Sequence, residues 1–133
     1  MSEFEQIIEI FETKYVDAST LPKELISLWA KLAIADYERE VSSLNFDVQN
    51  EVFKNGISLT IMDVIANIMK LYYLEREFDR QNKKINIVGK DLSLNDTSNA
   101  KKMTLAELEY FKSKVNLLLD QAKMPAYGGE SNG

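Results

Sequence analysis

The sequence predicts an all-α protein: a small bundle of about four helices, with a long extended or β-hairpin arm between the third and fourth helices. Apolar residues recur at three- and four-residue intervals in four segments. Helix-capping patterns precede several of these segments. The one strand-like stretch lies between the last two helical segments. With 133 residues, of which 45% are hydrophobic, the chain is long enough for one domain with a modest core.

The first two helices are predicted from their starts and their apolar spacing. Ser2 and Glu5 can cap each other reciprocally, which predicts a helix from Ser2 to about Lys14. A second helix is expected to begin with Pro22 in its first turn, where a missing N–H is tolerated, and to run to about Val41. Its predicted buried stripe consists of Leu25, Leu28, Trp29, Leu32 and Ala33.

The third helix, expected over residues 60–84, is apolar nearly all round as far as Leu74 and should lie in the middle of the bundle. Its charged continuation should project beyond the core by two turns or more. A fourth helix is expected to start at Thr104, which forms a T-x-x-E capping pattern with Glu107. Its predicted inward stripe consists of Leu108, Phe111, Val115, Leu118, Leu119 and Ala122.

Residues 1–124 are therefore expected to form a single helical domain with its arm at 85–103. Within this domain, residues 44–59 are predicted to be an irregular piece packed onto the bundle, with a turn at Asn55-Gly56. The polar, glycine-rich residues 125–133 are expected to form a flexible or partner-bound tail. Its candidate anchors are Pro125 and Tyr127.

The arm is the strongest candidate for a binding site. With glycine first in a type II′ turn, its aliphatic residues alternate onto one face of a hairpin. A lone hairpin is marginal in water, and its edges offer backbone groups for pairing, so we expect strand addition to another protein. The alternative is that the arm folds back over its own bundle. The predicted partner-binding residues are Ile85, Ile87, Val88, Gly89, Lys90, Asp91, Leu92 and Leu94.

The charged end of the third helix mixes both signs over a short stretch. A solvated helix surface is one interpretation. The other is charge-complementary contact between identical neighbours in a ring. The candidate subunit-contact residues are Arg76, Glu77, Arg80, Lys83 and Lys84.

Composition excludes several classes of function. The chain has no cysteine and no histidine, which removes disulfides, thiolate or imidazole zinc sites and catalytic triads. We predict no catalytic residue, no metal site, no cofactor and no membrane contact.

The charge is distributed unevenly along the chain. Residues 1–66 hold 12 acids and 5 bases, whereas residues 76–102 hold 4 acids and 7 bases. Because only the second segment is basic, and mildly so, direct binding of duplex DNA is not expected.

The stretch LYYLEREFDRQNKKINIVGKDLSLNDTSNAKKMT, residues 71–104, resembles the head-to-tail connector proteins of tailed bacteriophages of Gram-positive hosts. These are also called neck or adaptor proteins. The resemblance lies in the Y-L-E-R-E helix end, the I-x-I-V-G-K-D-L-S arm and the T-x-x-E helix that follows. It is firmest over Ile61–Met124 and weaker over Leu21–Val41.

The resemblance implies a structural protein of the virion neck, assembled in the host cytoplasm. Connectors form a ring beneath the portal, extend the DNA channel and dock the next component. The implied partners are the portal protein, neighbouring copies of the chain and a downstream neck or tail-terminator protein, while DNA passes without specific binding. Ile85–Leu94 or Pro125–Gly133 would grip the portal or the adjacent subunit. The competing interpretation is a nonviral helical adaptor that binds one partner by strand addition through residues 85–94.

Overall fold

The computed structural model of the protein describes residues 1–14, 21–88 and 94–124, with the backbone alone described at 83–88 and 94–101. This part of the chain contains four helices and one two-stranded antiparallel sheet. The mostly helical class is therefore confirmed. The elements are α1 (Glu3–Glu12), α2 (Lys23–Glu40), β1 (Phe46–Asp47), β2 (Val52–Phe53), α3 (Leu59–Val88) and α4 (Leu94–Lys123).

Helix α1 begins as predicted with a capping box. The Glu5 N–H donates to Ser2 Oγ at 3.1 Å, and the Ser2 N–H donates to Glu5 Oε1 at 2.9 Å. Hydrogen bonding of the Glu5 carboxyl to Ser2, first through the Ser2 backbone N–H and then through its side chain, holds the pKa of that carboxyl below its ordinary value. The helix buries Phe4, Ile7 and Phe11 against the rest of the bundle. A short amphipathic helix is thus fixed at its start by its own side chains and along its length by packing.

Helix α2 follows Pro22 and ends at Glu40, with Val41 as its C-cap, close to the predicted bounds. Its buried face is only partly the predicted one, because Leu28 and Leu32 are 51% and 48% exposed. The segment LISLWAKLAI carries two overlapping apolar stripes, and periodicity alone cannot say which of them packs. The buried residues are Ile26, Trp29, Ala30, Ala33, Ile34 and Tyr37.

The short β1–β2 hairpin packs on α1. Phe46 pairs with Phe53 across the two strands, with ring centroids 4.6 Å apart. The Phe46 ring also stacks on Phe4, with centroids 5.8 Å apart. The predicted turn at Asn55-Gly56 is confirmed, because Gly56 has a φ of +70° and its N–H donates to the Phe53 carbonyl at 3.0 Å. This segment is therefore joined to α1 through its aromatic rings.

Helix α3 forms the centre of the bundle, as predicted. The other three helices all pack against it. It runs antiparallel to α4, because Ile61 lies beside Ala122 whereas Gln81 lies beside Met103. The predicted inward stripe of α4 is confirmed, since Leu108, Val115 and Leu119 are buried and the other members are half-buried. The buried residues of α3 are Met62, Val64, Ile65, Ala66, Asn67, Ile68, Met69, Lys70 and Leu74.

The arm predicted between the third and fourth helices is not confirmed. Residues 85–88 continue α3, and residues 94–103 belong to α4. The predicted start of the fourth helix is wrong, because Thr104 lies ten residues inside α4. Extending a helix adds a hydrogen bond for each residue, whereas a separate hairpin has to be nucleated, and this outweighs the β-propensity of residues 85–88. Residues 89–93, with the expected turn, and the tail at 125–133 lie outside the described residues.

Candidate protein interaction surfaces

A groove of about 640 Å³ lies between α2 and the charged part of α3. We call it the α2–α3 groove. The α2 wall is apolar, and the exposed Leu28 continues it onto the surface beside Leu32. The α3 wall carries two acids and two bases. A protein segment that is apolar on one side and charged on the other fits such a surface. The lining residues are Leu25, Trp29, Leu32, Tyr72, Glu75, Arg76, Asp79 and Arg80.

A polar network at the α2–α3 groove joins its two walls. The Tyr72 hydroxyl donates a hydrogen bond to Asp36, and Arg39 forms an ion pair with the same carboxylate. Burial raises the pKa of the Tyr72 hydroxyl well above its ordinary value, and the hydrogen bond to Asp36 raises it further. Tyr72 therefore remains a proton donor at neutral pH. The network holds α2 and α3 in one relative position.

The structure brings part of the predicted subunit contact into this groove. Arg76 and Arg80 both line the α3 wall. Arg80 Nη1 also lies 2.8 Å from Glu77 Oε2, one turn away on the same helix. Lys83 and Lys84 follow on the α3 backbone, and their side chains lie outside the described ones, as do those of the predicted binding residues at 85–94 and the tail anchors Pro125 and Tyr127.

A second groove, between α1 and α2, has a volume of about 610 Å³ and an acidic rim. We call it the α1–α2 groove. Its floor is apolar, with Phe4, Ile8 and Ile26, and Lys23 is its one basic lining residue. A rim with an excess of negative charge around an apolar floor favours a partner that carries basic side chains on an apolar surface. The acidic lining residues are Glu5, Glu9, Glu12 and Glu51.

A third surface, on α4, was missed by reasoning from the sequence. Met103, Tyr110, Leu117 and Met124 are 75%, 62%, 58% and 52% exposed. They follow one another at intervals of seven residues. We call these four residues the outer stripe of α4. The seven-residue spacing of these residues in the sequence could have indicated the surface. It was missed because the inward stripe of the same helix already explained the amphipathic pattern.

Lys70 is a buried lysine of α3, and its contacts indicate whether its role is chemical or structural. Its Nζ donates to the Lys14 carbonyl oxygen at 2.7 Å and lies 5.0 Å from the centroid of the Tyr73 ring. Burial lowers the pKa of the Lys70 ammonium, and the nearby charge of Glu107 acts in the opposite direction. A hydrogen bond to a backbone carbonyl and a cation–π contact both favour the ammonium form. These contacts give Lys70 a structural role between α1 and α3.

Among the residues whose side chains the structure describes, no group of three or more acidic side chains is arranged to hold a metal ion. None of the helices in the described part of the chain is both long enough and apolar enough to cross a membrane.

No protein-family model, curated protein sequence or solved structure matches the chain. What the described residues offer towards a function is therefore the geometry of the three surfaces.

Proposed function

We propose that the protein is a structural virion protein, a head-to-tail connector of a tailed bacteriophage. It forms a ring under the portal, extends the DNA channel and docks the next neck or tail component. The observation that carries the proposal is the α2–α3 groove, where exposed leucines and a mixed-charge wall form a surface suited to a protein partner. The resemblance of residues 61–124 to connectors supplies the identity of the partners.

A closed ring requires each copy to contact its neighbours through two different surfaces. The two grooves meet this requirement, because they lie on different sides of α2. The charged end of α3 carries Arg76 and Arg80, with Lys83 and Lys84 next along the helix. The α1–α2 groove carries four glutamates against one lysine. We assign the ring contact to the arginines and lysines at the mixed-charge end of α3 in one copy and to the acidic α1–α2 groove of the next.

The portal contact is assigned to residues 85–94, on the strength of the resemblance and of their alternating aliphatic pattern. Strand addition to the portal would require residues 85–88 to leave the end of α3, and helix ends open at low cost in free energy. Pro125–Gly133 is the other candidate segment. The excess of acids over bases in residues 1–66 suits a channel wall that repels the DNA phosphates.

Mixing the purified protein with the portal protein of the same phage tests this function. Light scattering coupled to size-exclusion chromatography, with electron microscopy, should show a ring of many copies on each portal. Replacing Asn86–Ser93 by a Gly-Ser linker should abolish docking and leave most of the helical circular dichroism intact. A complex with one copy bound, or no complex, would instead favour the single-partner adaptor.

Charge reversal separates the ring contact from portal docking. Arg76→Glu with Arg80→Glu should prevent ring closure, and Glu9→Lys with Glu12→Lys in the same chain should restore it, because both glutamates line the α1–α2 groove and neither belongs to the capping box of α1. Val48→Ser is a control, because Val48 is 55% exposed and is not among the lining residues of either groove. If rings form equally well with the arginine variant, the assigned contact is wrong.

A further inference from the structure

We propose that two copies of the free protein pair through the outer stripe of α4, with the two helices parallel and in register. The stripe consists of Met103, Tyr110, Leu117 and Met124, all more than half exposed. The proposed occupant of this face is a second copy of the same chain. Three features of α4 support it: the direction in which the stripe faces, its spacing and the charges beside it.

The middle of the outer stripe, Tyr110 and Leu117, faces away from the protein's own bundle. Tyr110 and Leu117 each follow a buried residue, Leu108 and Val115, by two positions. Two positions correspond to about 200° around a helix with 3.6 residues per turn. Two stripes can therefore meet with their bundles on opposite sides of the contact. No rearrangement of the α3–α4 packing is needed.

The spacing of the stripe is that of one coiled-coil seam. An α-helix drifts by only about 20° over seven residues, so four residues at this spacing keep nearly the same direction. Ala106 and Ser113, three residues after Met103 and Tyr110, are small. In a two-helix contact, small residues beside the larger ones allow the helices to approach closely. Large and small residues thus alternate from Met103 to Leu117, while the next position of the series is Asp120, whose carboxylate is paired with Lys123 of its own helix.

The side chains flanking the stripe select the parallel orientation. In a parallel pair, the residue before each stripe residue faces the residue five positions later on the other copy. This rule places Lys102 against Glu107 and Glu109 against Lys114, and it pairs the amides of Asn116 and Gln121. Each of these contacts occurs twice by symmetry. All of them are complementary.

The antiparallel arrangement lacks this complementarity. Matching Tyr110 with Leu117 of the second copy would bring Lys114 beside the second copy's Lys114 and Lys102 near its Lys123. Like charges at such positions oppose pairing. The charge pattern on α4 therefore distinguishes between two arrangements that its apolar residues alone would both allow.

The pairing belongs to the free protein. A contact between identical surfaces closes at two copies, and a ring in which every subunit points the same way needs two different surfaces. The outer stripe also shares no residue with the α2–α3 or the α1–α2 groove. The pairing can therefore be correct whether or not the protein is a connector, and its test does not involve the portal.

The absence of cysteine from the chain allows a direct test by disulfide cross-linking. In a parallel, in-register pair, identical stripe residues face each other, within the 4.4–6.8 Å Cα separation that a disulfide spans. Leu117→Cys and Tyr110→Cys should each form disulfide-linked dimers under mild oxidation, at protein concentrations where Val48→Cys, whose cysteine lies outside the stripe, remains largely without cross-links. Light scattering of the unmodified protein should show a dimer. Cross-linking only in a mixture of the two stripe variants would indicate the antiparallel pair and overturn the proposal, as would a monomer at all concentrations.

Charge reversal provides a second, independent test of the register. Glu109→Lys and Lys114→Glu should each weaken dimerisation at low salt by roughly ten-fold, because each places two like-charged contacts in the pair. The double variant should return close to the original dissociation constant. If both single variants dimerise normally, or if the double variant is as weak as the singles, the parallel register is incorrect.

Discussion

The ammonium group of Lys70 donates a hydrogen bond of 2.7 Å to the backbone carbonyl oxygen of Lys14, two residues beyond the end of α1. Lys14 in turn directs its own Nζ to Asp63 on α3, at 3.1 Å. The α3 lysine thus contacts the chain at the end of α1, and the lysine at the end of α1 contacts α3. Together the two contacts hold the end of α1 against α3. Because Lys70 is only 4% exposed, this contact lies inside the bundle.

Replacing Lys70 by methionine should destabilise the fold by about 1–3 kcal/mol, because a part-buried carbonyl then loses its hydrogen-bond donor. Urea denaturation followed by the fluorescence of Trp29, the single tryptophan, measures the change. Lys112→Met, at an exposed position on α4, is the control and should lie within about 0.5 kcal/mol of the unmodified protein. An equal effect of the two substitutions would contradict the structural role of Lys70.

The lowered pKa of Lys70 also predicts a pH dependence of stability. Between the folded-state pKa and the ordinary value of 10.5, the unfolded chain binds more protons at this residue than the folded protein does. The free energy of unfolding should therefore rise with pH in that window, relative to Lys70→Met. Denaturation curves of both proteins at several alkaline pH values give the difference, and a constant difference would count against the prediction.

Tyr72→Phe removes the hydrogen bond to Asp36 and should cost about 1.5 kcal/mol of stability at neutral pH. Because the pKa of Tyr72 is raised in the fold, its contribution is complete below 10.0 and is lost as the pH rises above that value. The stability difference between the two proteins should consequently narrow in strongly alkaline solution. Thermal denaturation at neutral and alkaline pH measures it. A difference that widens at high pH would reverse the expected sign.

Gly56→Ala should destabilise the protein by about 1–2 kcal/mol, since the φ of +70° at Gly56 is unfavourable for a residue with a Cβ. The added Cβ would also lie 3.2 Å from Glu3 Oε2, which accepts a hydrogen bond from the Ile57 N–H. Asn45→Gly is a reciprocal control, because Asn45 has a φ of 53° and glycine should be tolerated there. Urea denaturation of both variants provides the comparison.

Two leucines of α4 provide a matched pair for testing how this helix packs. Leu119 is 9% exposed and Leu117 is 58% exposed. Leu119→Ala should cost about 2–4 kcal/mol at any protein concentration, because it leaves a cavity against α3. Leu117→Ala should have little effect in dilute solution and a larger one at concentrations where the unmodified protein is paired. If Leu117→Ala were the more destabilising substitution in dilute solution, α4 would pack against α3 through the face that carries Leu117.

Features that depend on neighbouring residues alone were predicted well from the sequence. The capping box of α1 needs only Ser2 and Glu5, and the turn at Gly56 needs only a residue that tolerates a positive φ. The central place of α3 also followed from its sequence, because a helix that is apolar nearly all round has to be covered on several sides. Arg76 and Arg80 line the α2–α3 groove, and their assignment to a subunit contact stays a prediction.

Several features that depend on tertiary packing were not predicted. The α2 segment offers two apolar stripes, and only the packing of α1 and α3 determines that Ile26 and Ala30 are buried while Leu28 and Leu32 remain exposed. A capping pattern at Thr104 is also compatible with the interior of a longer helix, and here α4 begins earlier. The groove wall formed by the leucines and the outer stripe of α4 were missed for the same reason.

Helix α3, with 30 residues and a length of about 45 Å, is the common support of the other three helices. The other helices touch one another much less than they touch α3. A substitution at a buried residue such as Ile65 or Met69 can therefore disturb the packing of all three other helices at once. Changes on the outer faces of α1, α2 or α4 stay local. Selection can consequently alter each outer helix to suit a different neighbour, while the middle of α3 has little freedom to vary.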